Sequence, residues 1–286
     1  MKIQTLSVVV GTAACNARCP FCVGKMTPQD GLVPNTSKIH WRNLDKAIQV
    51  CERGGVLTAL LTSKGEPTLY PDLITVYAQK LAPHFPFIEL QTNGLLLEHM
   101  KNTLSLWNEI GVTTICLSVV SHRNEDNQEI YPSKDKEYPD LGTTIDMIHD
   151  VGMSVRLSVI AMNPYMGTVT SLTRLMVFAK QFNVEQVTVR PVAQPAHSED
   201  PAIVDWIAEH ELRENAWANI VKAVQTHGVH LLSLAHGGAV YDVAGQNICL
   251  ATCLTINPKE EELRQLIFFP DGHLRYDWQH KGAILI

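Results

Sequence analysis

Residues 11–22 read GTAACNARCPFC and place Cys15, Cys19 and Cys22 within eight positions, directly after the apolar run LSVVV. Thiols this crowded serve as a disulfide staple, as ligands of a structural zinc ion, or as ligands of an iron–sulfur cluster. Seven Cα steps span at most about 25 Å, so a tight loop brings all three thiols into one metal site. Gly11 and Pro20 help the chain turn out of the preceding run and around a ligand. Zinc in a structural site needs a fourth ligand. His40 and Cys51 are available, although nothing in the local spacing demands either. A cluster held by three cysteines leaves one iron open, which is useful only if a further molecule binds it.

The chain has seven cysteines, at 15, 19, 22, 51, 116, 249 and 253, an odd number that disfavours a complete disulfide framework. Cys51 falls in a helical pattern and Cys116 in a strand, where a free cysteine acts as a small core hydrophobe. No cleavage-site pattern follows the apolar start, and no stretch approaches the roughly 18 apolar residues of a membrane span. These absences lead us to expect a cytoplasmic protein. Net charge is −6 with acids and bases scattered, so nucleic acid is an unfavoured partner.

Elements that must position the thiols alternate. Strand-like runs fall at residues 3–10, 56–62, 87–92, 113–119, 154–161 and 185–192. Helical patterns lie at 41–53, 73–81, 98–110, 142–150, 170–181 and 209–227. Strict alternation predicts a parallel sheet with right-handed crossovers, either an open doubly wound sheet or a partial barrel. In both architectures sites gather at the carboxyl ends of strands, where the three-cysteine loop sits. After residue 236 the alternation stops, and Pro270-Asp271-Gly272 between two strand-like runs predicts a hairpin. The expected organisation is an α/β core over residues 1–235 with a small β-rich cap over residues 236–286.

Cys-x-x-x-Cys-x-x-Cys with Phe21 before the last cysteine, following the first strand of a βα repeat, resembles the radical S-adenosylmethionine superfamily. The resemblance continues at successive strand ends as SKGEPTL, QTNGLLL, LSVVS and VTVRPV. It implies a partial (β/α)6 TIM-like barrel and one [4Fe–4S] cluster held by Cys15, Cys19 and Cys22. It also implies S-adenosylmethionine chelated at the open iron. One electron then cleaves the sulfonium, giving methionine and a 5′-deoxyadenosyl radical that abstracts hydrogen from substrate. An external one-electron reductant such as flavodoxin or ferredoxin would be required, and the enzyme would be oxygen-sensitive.

Carried over residue by residue, the resemblance implies that Phe21 shields the cluster and that Gly65, Glu66 and Pro67 lie at the methionine ammonium. Lys64 stands where that motif often has its first glycine. Glu66 can instead serve as a structural hydrogen-bond acceptor. Thr92, Asn93, Ser118, Arg156, Asn163 and Arg190 are further cofactor or substrate contacts. For Arg156, in an otherwise apolar strand, the alternative is an ion pair with an acid on a neighbouring strand. Cys249 and Cys253 match part of the auxiliary-cluster pattern of some relatives, but no third cysteine follows, and a degenerate cap with two packed cysteines is the preferred reading.

The chain begins almost at its first strand and lacks a cysteine-rich C-terminus, which favours a small-molecule substrate, a biosynthetic intermediate or nucleoside. The alternatives are a peptide- or protein-modifying radical enzyme and a non-catalytic metal- or ligand-binding protein. Within the cap, Arg275, Asp277 and Trp278 are expected to face the barrel mouth and contact substrate.

Overall fold

A computed structural model describes residues 2–33, 38–131, 137–195, 197–252 and 262–286; Cys253 lies outside them. Six strands pair in chain order and all in parallel: β1 (Ile3–Val9), β2 (Thr58–Thr62), β3 (Phe87–Thr92), β4 (Thr114–Val119), β5 (Ser154–Ala161) and β6 (Gln186–Pro191). The segment SVRLSVIA of β5 illustrates how the wall is built. Val155, Leu157, Val159 and Ala161 are buried against helices, while Ser154, Arg156, Ser158 and Ile160 face a cavity on the other side. Side chains alternate across a strand, so a period of two separates an apolar outer layer from a polar interior.

Helices complete the layer: α1 (Val23–Met26), α2 (Trp41–Arg53), α3 (Pro71–Leu81), α4 (Lys101–Ile110), α5 (Asn124–Ile130), α6 (Leu141–Asp150), α7 (Val169–Gln181), α8 (Pro201–His210) and α9 (Glu214–His227). In α2 the buried residues are Leu44, Ala47, Ile48 and Cys51, the i, i+3, i+4, i+7 spacing of one helical face. Truncating such a side chain, as in Leu44→Ala, typically costs about 2–5 kcal/mol. Trp107 on α4 is fully buried with its indole N–H donating to Thr75 Oγ1 at 2.9 Å, so its polar atom is satisfied. The Asp140 and Asp200 carboxylates cap α6 and α8.

The helix expected over 209–227 is two helices. Glu211 and Arg213 adopt extended backbone and separate α8 from α9, and Asp200-Pro201 supplies the start signal for α8 that periodicity alone did not reveal.

The β-rich C-terminal segment continues the barrel sheet at both edges. Beside β6 lies β9 (Gln246–Ala251), followed outward by β8 (Gly238–Val243) and β7 (Val229–Leu234). Beside β1, in parallel, lies β10 (Leu263–Phe268), which forms the expected hairpin with β11 (Leu274–Arg275). Gly272 in the turn has φ of +84° and packs on His40, a position suited to glycine. Among the described residues the barrel is not closed, and β9 and β10 extend opposite edges of one eleven-stranded sheet.

Candidate active site

The inward faces of β1–β6, β9 and β10 line a cavity of about 900 Å³ that runs from the first residues of the strands, such as Thr58 and Thr114, to their carboxyl ends, where the cysteine loop borders it. This volume lies within the range typical of ligand sites, roughly 300–1,000 Å³. Cys15, Cys19 and Cys22 all line it. The loop leaves β1 at Gly11, whose φ of +74° places its α-carbon against the Tyr70 ring. The Thr12 hydroxyl meets Tyr70 OH at 2.6 Å, and Ser63 Oγ donates to the Thr12 carbonyl at 3.2 Å. Sulfur is met by donors as well: Ala17 N–H lies 3.4 Å and Asn93 Nδ2 3.9 Å from Cys15 Sγ.

The turn after β2 is packed onto this loop. A Cβ on Gly65 would stand 2.0 Å from the Ala14 carbonyl oxygen, so only glycine permits the approach, and Glu66 N–H donates to that oxygen at 2.9 Å. Glu66 is buried and accepts four bonds. Thr68 N–H (3.0 Å), Thr68 Oγ1 (2.7 Å) and Thr92 Oγ1 (2.6 Å) bind Oε1, and Asn93 N–H (2.9 Å) binds Oε2. Burial pushes its carboxyl pKa up, and these donors act against that shift. Glu66 therefore clamps the β2 turn to the β3 turn through its side chain. Asn93 extends the clamp to the loop, with Nδ2 donating to Asn16 Oδ1 at 2.8 Å. Pro67, Thr92, Ser118 and Phe21 line the cavity, Phe21 against the rings of Tyr131 and Trp206 at centroid distances of 6.3 and 6.1 Å.

Arg156 and Arg190 also line the cavity. The Arg156 guanidinium is committed to protein partners, forming a two-pronged pair with Glu89 (Nε–Oε2 2.7 Å, Nη2–Oε1 2.5 Å) and donating to Thr188 Oγ1 at 3.2 Å. Glu89 lies on β3, so the pair spans β4. Asn163 does not join them. It is exposed beyond the end of β5, where its N–H donates to the His210 carbonyl and its side chain to that of Glu211, facing the junction of α8 and α9.

Of the three residues expected at the mouth from the C-terminal hairpin, only Trp278 lines the cavity. Arg275 instead donates to Asp271 at 3.1 Å and lies over Phe269, 4.6 Å from its centroid. Asp277 accepts from the N–H groups of Gln279 and His280. Both hold the hairpin in shape, because its short turns leave backbone and ring faces that these side chains satisfy.

Several lining residues were not expected to face the cavity. Lys64 is buried, donates to Thr27 Oγ1 and to the Pro28 carbonyl, and sits 5.6 Å from the Trp278 ring; burial lowers its pKa to about 8. Glu89 in FIELQT read as one polar residue of a strand, and only the fold brings it to Arg156. Cys116, expected in the apolar core, faces the cavity instead, where burial pushes its thiol up to about 12 and keeps it neutral at neutral pH. Cys249 faces the same space from β9.

The sequence profile of the radical S-adenosylmethionine superfamily matches residues 9–169, more than half of the chain. The chain belongs to this superfamily of enzymes. No curated protein matches it. Among solved structures, Streptococcus suis SuiB bound to S-adenosylmethionine aligns with a TM-score of 0.57 at 14% identity, over 95% of this chain and 60% of that chain. SuiB bound to its precursor peptide SuiA gives 0.56 at 13%, over 96% and 59%. Methylornithine synthase PylB gives 0.57 at 12%, over 91% and 74%. These likenesses are of fold, and the chain spans about 60% of the length of SuiB.

The family implies a [4Fe–4S] cluster and S-adenosylmethionine, and the donor set fits the cluster. Burial raises the pKa of Cys19, and the neighbouring Cys22 and Cys15 raise it further, a repulsion among thiolates that bound iron would offset. Among the described residues no three His, Cys, Asp or Glu side chains converge closely enough for a single metal ion. No described helix is long and apolar enough to cross a membrane.

Proposed function

We propose that the protein is a radical enzyme in which Cys15, Cys19 and Cys22 hold one [4Fe–4S] cluster and the β2 and β3 turns bind the methionine end of S-adenosylmethionine. The observation that carries this reading is the clamp joining the cysteine loop to both turns through Ala14, Glu66 and Asn93. When bound, the two cofactors would supply a 5′-deoxyadenosyl radical for hydrogen abstraction. The chain's own task is to fix the backbone of Gly65 and Pro67, to present Ser118 from β4 beside the β3 turn, and to keep the mouth dry with Phe21, Tyr131 and Trp206.

The proposed substrate is a small molecule, because the cavity among the strands has the volume of a small-molecule site. A second reading, a peptide substrate, is favoured by the fold likeness to SuiB, whose structure with its precursor peptide is known. A flavodoxin- or ferredoxin-type reductant is the proposed electron source.

Anaerobically reconstituted protein given S-adenosylmethionine and dithionite should form 5′-deoxyadenosine. Protein with a full cluster that forms none would be a binder rather than an enzyme.

A further inference from the structure

Opposite the clamp, the cavity wall of β5, β6 and β9 has a different character. Arg190 projects into it from β6, and its Nε is buried without a hydrogen-bond partner among the described residues. Arg156 lies beside it, and Arg264 of β10 lines the same space. Three described acids line the cavity. Glu66 accepts four bonds in the clamp, Glu89 is matched to Arg156, and Glu185 accepts the Val155 N–H at 2.7 Å and pairs with His149 at 3.3 Å. None of the three binds Arg190. A buried guanidinium Nε–H without an acceptor is costly in the empty protein. Burial, with Arg264 and Arg156 nearby, draws the pKa of Arg190 down to about 10, still charged at neutral pH.

We propose that Arg190 anchors an oxyanion of the substrate, a carboxylate or a phosphate, at the β6 side of the cavity. The inference rests on the cofactor reading above, because it takes the methionine carboxylate to be held on the other side, at the loop and turns following β1, β2 and β3. Sheet order separates the two places: β6 is flanked by β5 and β9, whereas the clamp joins the ends of β1, β2 and β3. A planar guanidinium fork matches a carboxylate or phosphate in two-pronged fashion, and the bound anion would satisfy Nε and offset the like charges. Thr188 Oγ1, already in contact with Arg156, fixes that neighbour in place while Glu89 neutralises it. Arg190 is thereby left as the group that recognises the ligand.

The test is calorimetric titration of the reconstituted 286-residue chain, saturated with S-adenosylmethionine, with inorganic phosphate and separately with malonate. The wild type should bind at least one, and the tighter one identifies the source of the oxyanion. Arg190→Gln should weaken that binding about 10- to 100-fold, the loss of a charge-assisted bond pair, while S-adenosylmethionine affinity stays within about twofold. Arg190→Lys retains charge without the fork and should fall between; it gives the reading if the glutamine variant does not fold. Wild type that binds neither anion, unchanged anion binding in both variants, or a parallel loss of S-adenosylmethionine affinity overturns the proposal. A wild type without iron or S-adenosylmethionine affinity faults the cofactor reading instead, so the two failures are distinct.

Discussion

On the β1–β3 side of the barrel, polar groups are tied to one another through short turns, and Glu66 alone accepts four bonds. On the β5–β6–β9 side, long side chains reach into open space, and the Nε of Arg190 is left without a partner among the described residues. The first side is a rigid backbone scaffold whose geometry depends on glycine, proline and small polar residues. The second carries charged side chains on strands, of which Arg156 is matched to Glu89 and the Nε of Arg190 is not matched. In the proposed reading, this division separates what holds the cofactor from what selects the substrate.

The largest effect should come from the scaffold. Joint replacement of Cys15, Cys19 and Cys22 by alanine should take iron from about four atoms per chain to background, read by iron and sulfide analysis. The circular dichroism spectrum should not change, because none of the three cysteines lies within a helix or strand. Iron retained at the wild-type level would remove the thiols from the site.

Next in size is the ion pair that joins β3 to β5. Arg156→Met leaves Glu89 buried and unmatched and should cost about 3–5 kcal/mol in urea unfolding. The double variant Glu89→Gln/Arg156→Met should cost clearly less than the single one, since no unpaired charge is left. Equal costs would mean that the pair is not a coupled unit.

The order of elements was legible from hydrophobic periodicity, and the cysteine loop from spacing. β3 and β5 were anticipated to the residue because alternation and turn residues mark both of their ends. Glu89 and Arg190 were not legible as a contrast. A polar residue in a strand shows only that one face is polar, and partners on non-adjacent strands are set by barrel curvature. Asn163 was misplaced for a related reason: the position after a strand reads as a barrel mouth, but its N–H is taken by α8, which periodicity had not found. Arg275 and Asp277 looked like recognition residues because their types suit that role, whereas the tight hairpin uses both internally.

A smaller effect sharpens the account of the scaffold. A bulky residue at Gly65 would meet backbone rather than open space. The 2.0 Å approach to Ala14 places the clash in the cysteine loop itself. Gly65→Val should therefore cost about 1–3 kcal/mol of stability and lower iron incorporation together with S-adenosylmethionine affinity. Full iron content with normal affinity would show that the loop and the turn move independently.

The smallest effect concerns Trp278. Trp278→Ala should cost about 1 kcal/mol or less through its contact with the Lys64 ammonium, yet raise 5′-deoxyadenosine formed without substrate turnover. The Arg275→Ala and Asp277→Ala variants should lose stability without that uncoupling. The reverse pattern would return recognition to the hairpin's charged residues.

The central claim, that the three-cysteine loop and the turns beside it form one cofactor site, is tested most directly by electron paramagnetic resonance of the dithionite-reduced protein, recorded with and without S-adenosylmethionine. The account predicts a [4Fe–4S]⁺ signal whose g-values shift when S-adenosylmethionine is added, because its amino and carboxylate groups occupy the iron that no cysteine binds. A cluster signal unchanged by saturating S-adenosylmethionine would contradict it.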